Sequence, residues 1–199
     1  MVLAAGKGRR FGNPKLRALF RGRPLLAYAL DVVESARKRG LLTDGCVVLG
    51  ADDGQTRSLI EAAELTSIVN DSPQLGLGHS LRLAINHLQS VTDLPEAALI
   101  FLGDQPLVRL DVVEALIREW REQRVRLVRP RYEGSPEIPG HPVLLDSSIW
   151  PMTADLSGDA GFGSLLGPAD PHTVSIDVLG NNPDIDTIAD LKALEETFP

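Results

Sequence analysis

An α/β fold built on a mostly parallel sheet is the architecture this sequence predicts. Two observations point to it. Apolar runs of strand length alternate with helical patterns, and no repeat, low-complexity tract or linker divides the chain. The first run, Val2-Leu3-Ala4-Ala5, is a short strand over 2–5 that leads into a glycine-rich loop. Helical periodicity resumes only at Leu25: Leu26, Leu30 and Val33 fall at i, i+4 and i+7, so 25–39 reads as an amphipathic helix closed by Gly40. Strands at 45–50 and 67–70 follow, the first carrying Cys46-Val47-Val48-Leu49. Leu81, Ile85 and Leu88 mark a helix over 79–90, Ala97 to Leu102 a strand, and Val113, Leu116, Ile117 and Trp120 the apolar stripe of a helix over 109–123. Strands at 125–130, 141–146 and 173–178 precede a last helix at 187–197, which either Asp186 or Thr187 can cap. The Pro/Gly-rich segment 130–142 reads as a long loop within one domain spanning 1–199, and loops of that length are often functional.

Composition narrows the function classes. With 199 residues, 43% of them hydrophobic, the chain is long enough to bury roughly 70% of its unfolded surface in one domain. A net charge of −7 and a pI near 5.1 argue against a nucleic-acid platform, which would show a basic face. Positive charge concentrates instead in residues 7–39, a local site on an acidic body. The single cysteine, Cys46, lies in an apolar run and excludes a disulfide framework. No signal peptide is visible and the longest apolar runs are strand-sized, so a soluble, cytoplasmic protein is expected. The chain opens directly on its first strand, which leaves room for a few residues upstream.

The loop after that strand carries the strongest chemical signal. Gly6, Gly8 and Gly12 remove side chains that would hold a ligand away from the backbone and permit left-handed turns, while Lys7, Arg9, Arg10 and Lys15 crowd positive charge around them. Bare amides and cations together suit a polyphosphate. Two familiar glycine motifs fail. A Walker loop needs Gly-Lys-Ser/Thr, and here Gly6-Lys7 is followed by Gly8. A dinucleotide fingerprint needs a helix to begin inside the glycines, whereas Asn13-Pro14 and Arg21-Gly22-Arg23-Pro24 break the chain. The ribose-binding acid is also missing, since Asp52 and Asp53 come too late. This is a long phosphate-wrapping loop.

Acidic residues complete the constellation. Strand 97–102 ends in Gly103-Asp104-Gln105-Pro106, and ligands of open α/β sheets gather beyond the carboxyl ends of strands. Asp104 is therefore placed to hold Mg²⁺, which takes one or two carboxylates plus substrate phosphates, or else it only caps the turn before Pro106. Asp184 and Asp186 alternate about Ile185, so one can face the cleft; Asp186 is either a second metal ligand or the cap of the last helix. Gln74-Leu75-Gly76-Leu77-Gly78-His79-Ser80-Leu81 is a glycine-rich turn entering a helix, whose backbone can approach a base or ribose and whose Ser80 can cap. The four histidines have no metal-ligand spacing; His79 reads as part of a helix start, and His141, in the Pro/Gly-rich loop, as either an acceptor contact or a turn residue.

Taken together, Leu3-Ala4-Ala5-Gly6-x-Gly8-x-Arg10-x-Gly12 with Lys15, Gly76-x-Gly78-x-Ser80-Leu81, Gly103-Asp104-Gln105-Pro106, Gly140-His141-Pro142-Val143-Leu144, Gly158-Asp159-x-Gly161 and Asp184-Ile185-Asp186-Thr187 resemble, in order and over nearly the whole chain, the MobA-like nucleotidyltransferases of molybdenum-cofactor maturation, above all the cytidylyltransferase branch. The resemblance implies a Rossmann-like three-layer α/β/α sandwich of the nucleotide-diphospho-sugar transferase type. It further implies a Mg²⁺-dependent transfer of CMP from CTP to the phosphate of molybdopterin, with a molybdoenzyme as a possible partner. The residues and the resemblance together put nucleotide binding on Leu3, Ala4, Ala5, Gly6, Gly8, Arg10, Lys15, Gly78 and Ser80, catalysis on Arg10, Lys15 and Asp104, metal on Asp104 with Asp186, and the acceptor beside His141 and Asp159. Two departures stand out: the family's arginine after Gly161 is replaced within Phe162-Gly163, and Ile188 stands where a proline is usual. The first puts the acceptor's identity in doubt, which leaves a sugar phosphate or another small phosphorylated acceptor as the alternative. An NAD(P)-binding oxidoreductase and a non-catalytic cofactor chaperone remain as rival classes.

Overall fold

The computed structural model describes residues 1–197 except 7, 9, 13, 51–53, 162–165 and 167–169. Lys7, Arg9, Asp52, Asp53, Phe162 and Gly163 thus lie outside the described residues. Nine strands are described: β1 Val2–Ala4, β2 Leu19–Phe20, β3 Arg23–Pro24, β4 Cys46–Gly50, β5 Thr66–Asn70, β6 Ala97–Leu102, β7 Leu127–Tyr132, β8 Val143–Asp146 and β9 Thr173–Val178. The described α-helices are α1 Leu25–Lys38, α2 Gly54–Ala62, α3 Leu77–Ser90, α4 Leu110–Gln123 and α5 Ile188–Thr197. No helix among the described residues is long and apolar enough to cross a membrane.

Seven of these strands form one sheet in the order β5-β4-β1-β6-β8-β7-β9, and β2 and β3 pair apart from it. β1 runs parallel to both β4 and β6, and β8 alone is antiparallel to its neighbours. Strand alternation sends Val2, Ala4, Val47, Leu49, Leu99 and Phe101 to one face, where they pack with Leu26, Leu30 and Val33 of α1 and Val113, Leu116 and Trp120 of α4. Leu3, Ala5, Cys46, Val48, Ala98 and Ile100 go to the other face, against Leu81 and Ile85 of α3 and Trp150. Central strands buried on both faces read as continuous apolar runs, which is why the sequence marked them so clearly. The three-layer α/β expectation holds.

The differences have physical reasons. The expected strand at 125–130 is displaced to Leu127–Tyr132, because its parallel pairing with β9 reaches Tyr132↔Val178. Pro130 sits inside that ladder opposite Ile176. The expected start at residue 79 is corrected to Leu77, so His79 and Ser80 stand inside the first turn of α3. α2 was not foreseen: only Thr56 and Ile60 of it are buried, too few to make a stripe. The break at Arg21-Gly22 is a hairpin. Both residues have positive φ (49° and 75°), the pairing that joins β2 to β3 through a tight two-residue turn.

Candidate active site

Two strand ends and one loop meet at the carboxyl edge of the sheet. Leu3 pairs in register with Leu102, so the residues after β1 and β6 leave the sheet side by side. The Gly103 N–H donates to the Leu3 carbonyl at 3.0 Å. A Cβ on Gly103 would lie 3.0 Å from Leu26 Cδ1 and 3.3 Å from Leu16 Cδ2, so glycine lets Asp104 emerge close to the core. The loop from β1 turns at Gly8 and Gly12 (φ 53° and 76°), with the Phe11 N–H closing onto the Gly8 carbonyl at 2.8 Å. It does not enter a helix there. It makes a single 3₁₀ turn at Lys15–Arg17 and then the β2–β3 hairpin before α1 begins, which excludes the dinucleotide geometry.

That 3₁₀ turn anchors Leu16 in the core and aims Lys15 at the acids. Lys15 is only 8% exposed. Its ammonium donates to Asp104 Oδ2 at 2.5 Å and to Asp186 Oδ1 at 2.9 Å. Burial works to lower the Lys15 pKa, but the charge and hydrogen bond of Asp104, joined by those of Asp186, outweigh it and raise the pKa above the usual lysine value. Arg10 approaches from solvent, 3.8 Å from Asp186 Oδ2.

Asp186 is free for this pairing because its neighbours cap the helix. Thr187 Oγ1 accepts from the Asp190 N–H at 3.1 Å, and Asp190 Oδ2 accepts from the Thr187 N–H at 2.7 Å and the Asp186 N–H at 3.0 Å. This reciprocal capping box settles the choice between Asp186 and Thr187 in favour of Thr187. The segment is fastened to Asp104 by the Ile185 N–H, which donates to the Asp104 carbonyl at 3.1 Å. Phe11, Phe20, Leu25, Ile185, Leu191 and Leu194 form a small core of their own beneath it.

A polar chain leads from the acids to the Pro/Gly-rich loop. Gln105 Nε2 donates to Asp184 Oδ1 at 2.9 Å, Asn182 Nδ2 donates to Gln105 Oε1 at 3.1 Å and to the His141 carbonyl at 3.3 Å, and Tyr132 Oη donates to that carbonyl at 2.8 Å. Gln105 and Asn182 are buried, so each must satisfy its amide inside the protein. Burial, then the charge of Asp104, raises the Asp184 pKa. Burial pushes His141 down to about 4 although Asp104 opposes it, so the ring is neutral at pH 7. Sequence reasoning missed this chain; only the clustering of Gln105, Asn182 and Asp184 next to the acidic motifs hinted at it.

Other expected residues lie elsewhere. Leu3, Ala4 and Ala5 bury their side chains in the two cores, leaving only backbone to face a ligand. A Cβ on Gly6 would meet nothing within 4 Å, so a ligand can come close there. Gly76 and Gly78 serve a different approach. A Cβ on Gly76 (φ +87°) would sit 2.3 Å from the Gly158 carbonyl, and one on Gly78 3.1 Å from Leu156 Cβ. The space these glycines free is filled by segment 156–160. The idea that Ser80 caps α3 is corrected: its hydroxyl accepts from Asn70 Nδ2 at 2.9 Å, and Asp159 Oδ1 takes the Leu77 N–H at 3.4 Å. A cleft of about 530 Å³ lined by Met1, Gly45, Cys46, Ala97 and Trp120 opens at the opposite, amino edge of the sheet.

Among the described residues no three His, Cys, Asp or Glu side chains surround a common point. Asp104 and Asp186 do converge on one cation, and two carboxylates are what a Mg²⁺ site takes when phosphate oxygens and water complete its shell. The residues present fit such an ion. Residues 1–174 match the sequence model of the MobA-like NTP transferase domain. The chain belongs to that family. It carries the MobA-like NTP transferase domain on a Rossmann-like α/β fold. It is 32% identical over 178 residues to the bifunctional protein GlmU of Azoarcus sp. (strain BH72), which covers 88% of this chain and 32% of that protein. The chain thus spans about a third of that curated relative's length. Rv0371c from Mycobacterium tuberculosis H37Rv superposes with a TM-score of 0.78 at 26% identity, over 98% of this chain and 96% of that one, and has also been crystallised with manganese. The molybdopterin-guanine dinucleotide biosynthesis protein A of Archaeoglobus fulgidus shares the fold, with a TM-score of 0.65 at 20% identity over 98% and 96% of the two chains.

Proposed function

We propose that residues 1–199 act as one nucleotidyltransferase domain that transfers CMP from CTP to the phosphate of molybdopterin. An acceptor phosphate oxygen bonds to the α-phosphorus, the α–β phosphoanhydride breaks, and pyrophosphate leaves. The observation that carries this reading is the convergence of Asp104, Asp186 and Lys15 beside the glycine loop, where the ammonium lies within 2.9 Å of both carboxylates.

Such a reaction asks chiefly for alignment and charge neutralisation. Asp104 and Asp186 would hold Mg²⁺, which supplies Lewis-acid neutralisation of the phosphates when bound. Backbone amides around Ala5, Gly6 and Gly8 bind and orient the triphosphate, and Arg10 and Lys15 stabilise the departing pyrophosphate. Gly78 and Ser80 fix the start of α3 beside the nucleotide. The acceptor is already ionised at pH 7, so no residue need act as a general base. His141, neutral and tethered through its carbonyl, borders the acceptor side, and Asp159, which takes the Leu77 N–H at the start of α3, is the second residue assigned to the acceptor.

Gly163 at the position of the family's arginine favours a second acceptor, a sugar phosphate or another small phosphorylated molecule. Pyrophosphate release is the test, with each of four NTPs and Mg²⁺, and with molybdopterin, a panel of sugar phosphates or no acceptor. Release that requires CTP and molybdopterin supports the first reading. Release with CTP and a sugar phosphate supports the second, and no release under any condition refutes both.

A further inference from the structure

The cation site is already filled by the protein's own charges. Asp104 Oδ2 and Asp186 Oδ1 both face the Lys15 ammonium, and Asp186 Oδ2 faces the Arg10 guanidinium, so two cations answer two carboxylates. Lys15 is held tightly there. Its side chain is 9% exposed, it descends from a turn whose neighbour Leu16 is in the core, and both carboxylates are tied together by the Ile185–Asp104 backbone bond. A divalent ion placed on the same oxygens would lie against a full positive charge at contact distance, with little intervening water to screen it.

We infer that Lys15 is a resident counter-ion, whose ammonium occupies the position between Asp104 and Asp186 that a divalent ion must take and gives it up as the triphosphate arrives. This rests on the metal-site reading above and adds to it an order of events. A divalent ion alone binds poorly because Lys15 has nowhere else to put its charge. Nucleotide phosphates offer Lys15 a new partner, so ion and nucleotide load together. Lys15 then has two roles: it keeps two neighbouring carboxylates from repelling each other in the empty protein, and it neutralises phosphate in the loaded one.

The test uses Mn²⁺ as probe, read by electron paramagnetic resonance, with no nucleotide present. Lys15→Met is expected to bind Mn²⁺ about tenfold or more tighter than the wild type, and adding Asp104→Asn is expected to abolish that gain. Because Lys15→Met can weaken the fold, a second readout uses the unaltered chain. Acetic anhydride labelling of Lys15, measured by mass spectrometry against exposed Lys192, is expected to rise severalfold when Mn²⁺ saturates the site. Equal Mn²⁺ affinity in wild type and Lys15→Met, with Asp104 still required, would overturn the resident counter-ion and leave the metal site standing. Unchanged Lys15 labelling at saturating Mn²⁺ would do the same. Mn²⁺ binding that ignores Asp104 in every variant would overturn the metal site itself.

Discussion

Replacing Asp104 with asparagine keeps the shape of the side chain and removes its charge, which separates what the carboxylate does for folding from what it does for turnover. Asp104 Oδ2 lies 2.5 Å from Lys15 Nζ, and the Asp104 side chain retains 21% exposure. Breaking a fully buried pair costs about 3–5 kcal/mol; partial exposure and the surviving Asp186 contact reduce this to about 1–2 kcal/mol. For a chain of this size that lowers the melting temperature by roughly 2–8 °C and leaves the protein folded at 25 °C. Turnover loses far more. Removing one electrostatic stabiliser of a charged transition state typically costs about 10²–10³-fold in kcat, and here the divalent ion loses a ligand as well. The assay is continuous pyrophosphate release with Mg²⁺, run beside a circular-dichroism melt. A folded Asp104→Asn enzyme within about tenfold of wild-type kcat would refute the role given to this carboxylate.

Gly76→Ala drives a methyl group to 2.3 Å from the Gly158 backbone at a φ of +87°, so urea unfolding is expected to show a loss of about 3 kcal/mol. Gly6→Ala meets no atom within 4 Å and is expected to spare stability while weakening nucleotide binding, measured by calorimetry. His141, held down to about 4 from 6.5, refuses a proton that the unfolded chain accepts. Its contribution therefore makes stability rise with pH between about 4 and 6.5 and level off above, by about 2 kcal/mol after allowance for partial exposure. Denaturant titrations at pH 4.5 and 7.5 check this, and His141→Gln should flatten the difference. Thr187→Ala removes half of the capping box and is expected to cost about 1 kcal/mol by the same unfolding assay, with Lys15 still paired to Asp186.

The sequence spoke most clearly where side-chain pattern and backbone demand coincide. β1, β4 and β6 are buried on both faces, so their apolar runs could be nothing else, and the glycines after β1 and at Gly103 mark places where the chain must turn or pass close to the core. Asp104 and Asp186 were legible as acids at strand and helix ends. Their union through Lys15 was not, because no local pattern encodes a contact between residues so far apart in the chain. Gly76 and Gly78 show the opposite failure. A glycine announces that something comes near without saying what, and here the visitor is segment 156–160 rather than open space. α2 left too weak a stripe to see, since most of its residues face water.

Lys15 and Asp186 are separated by 171 positions, and a patch of aromatic and aliphatic side chains from both chain ends holds them in one place. During vectorial synthesis on a ribosome, the glycine loop leaves the exit tunnel long before its counter-charge exists. All strands of the sheet are synthesised before the Asp186 partner of Lys15. The Asp186 half of the carboxylate pair comes into place only when α5 docks, so a chain cut short near residue 180 would contain every strand of the sheet but lack Asp186 and the apolar side chains of α5 that cover Phe11 and Phe20.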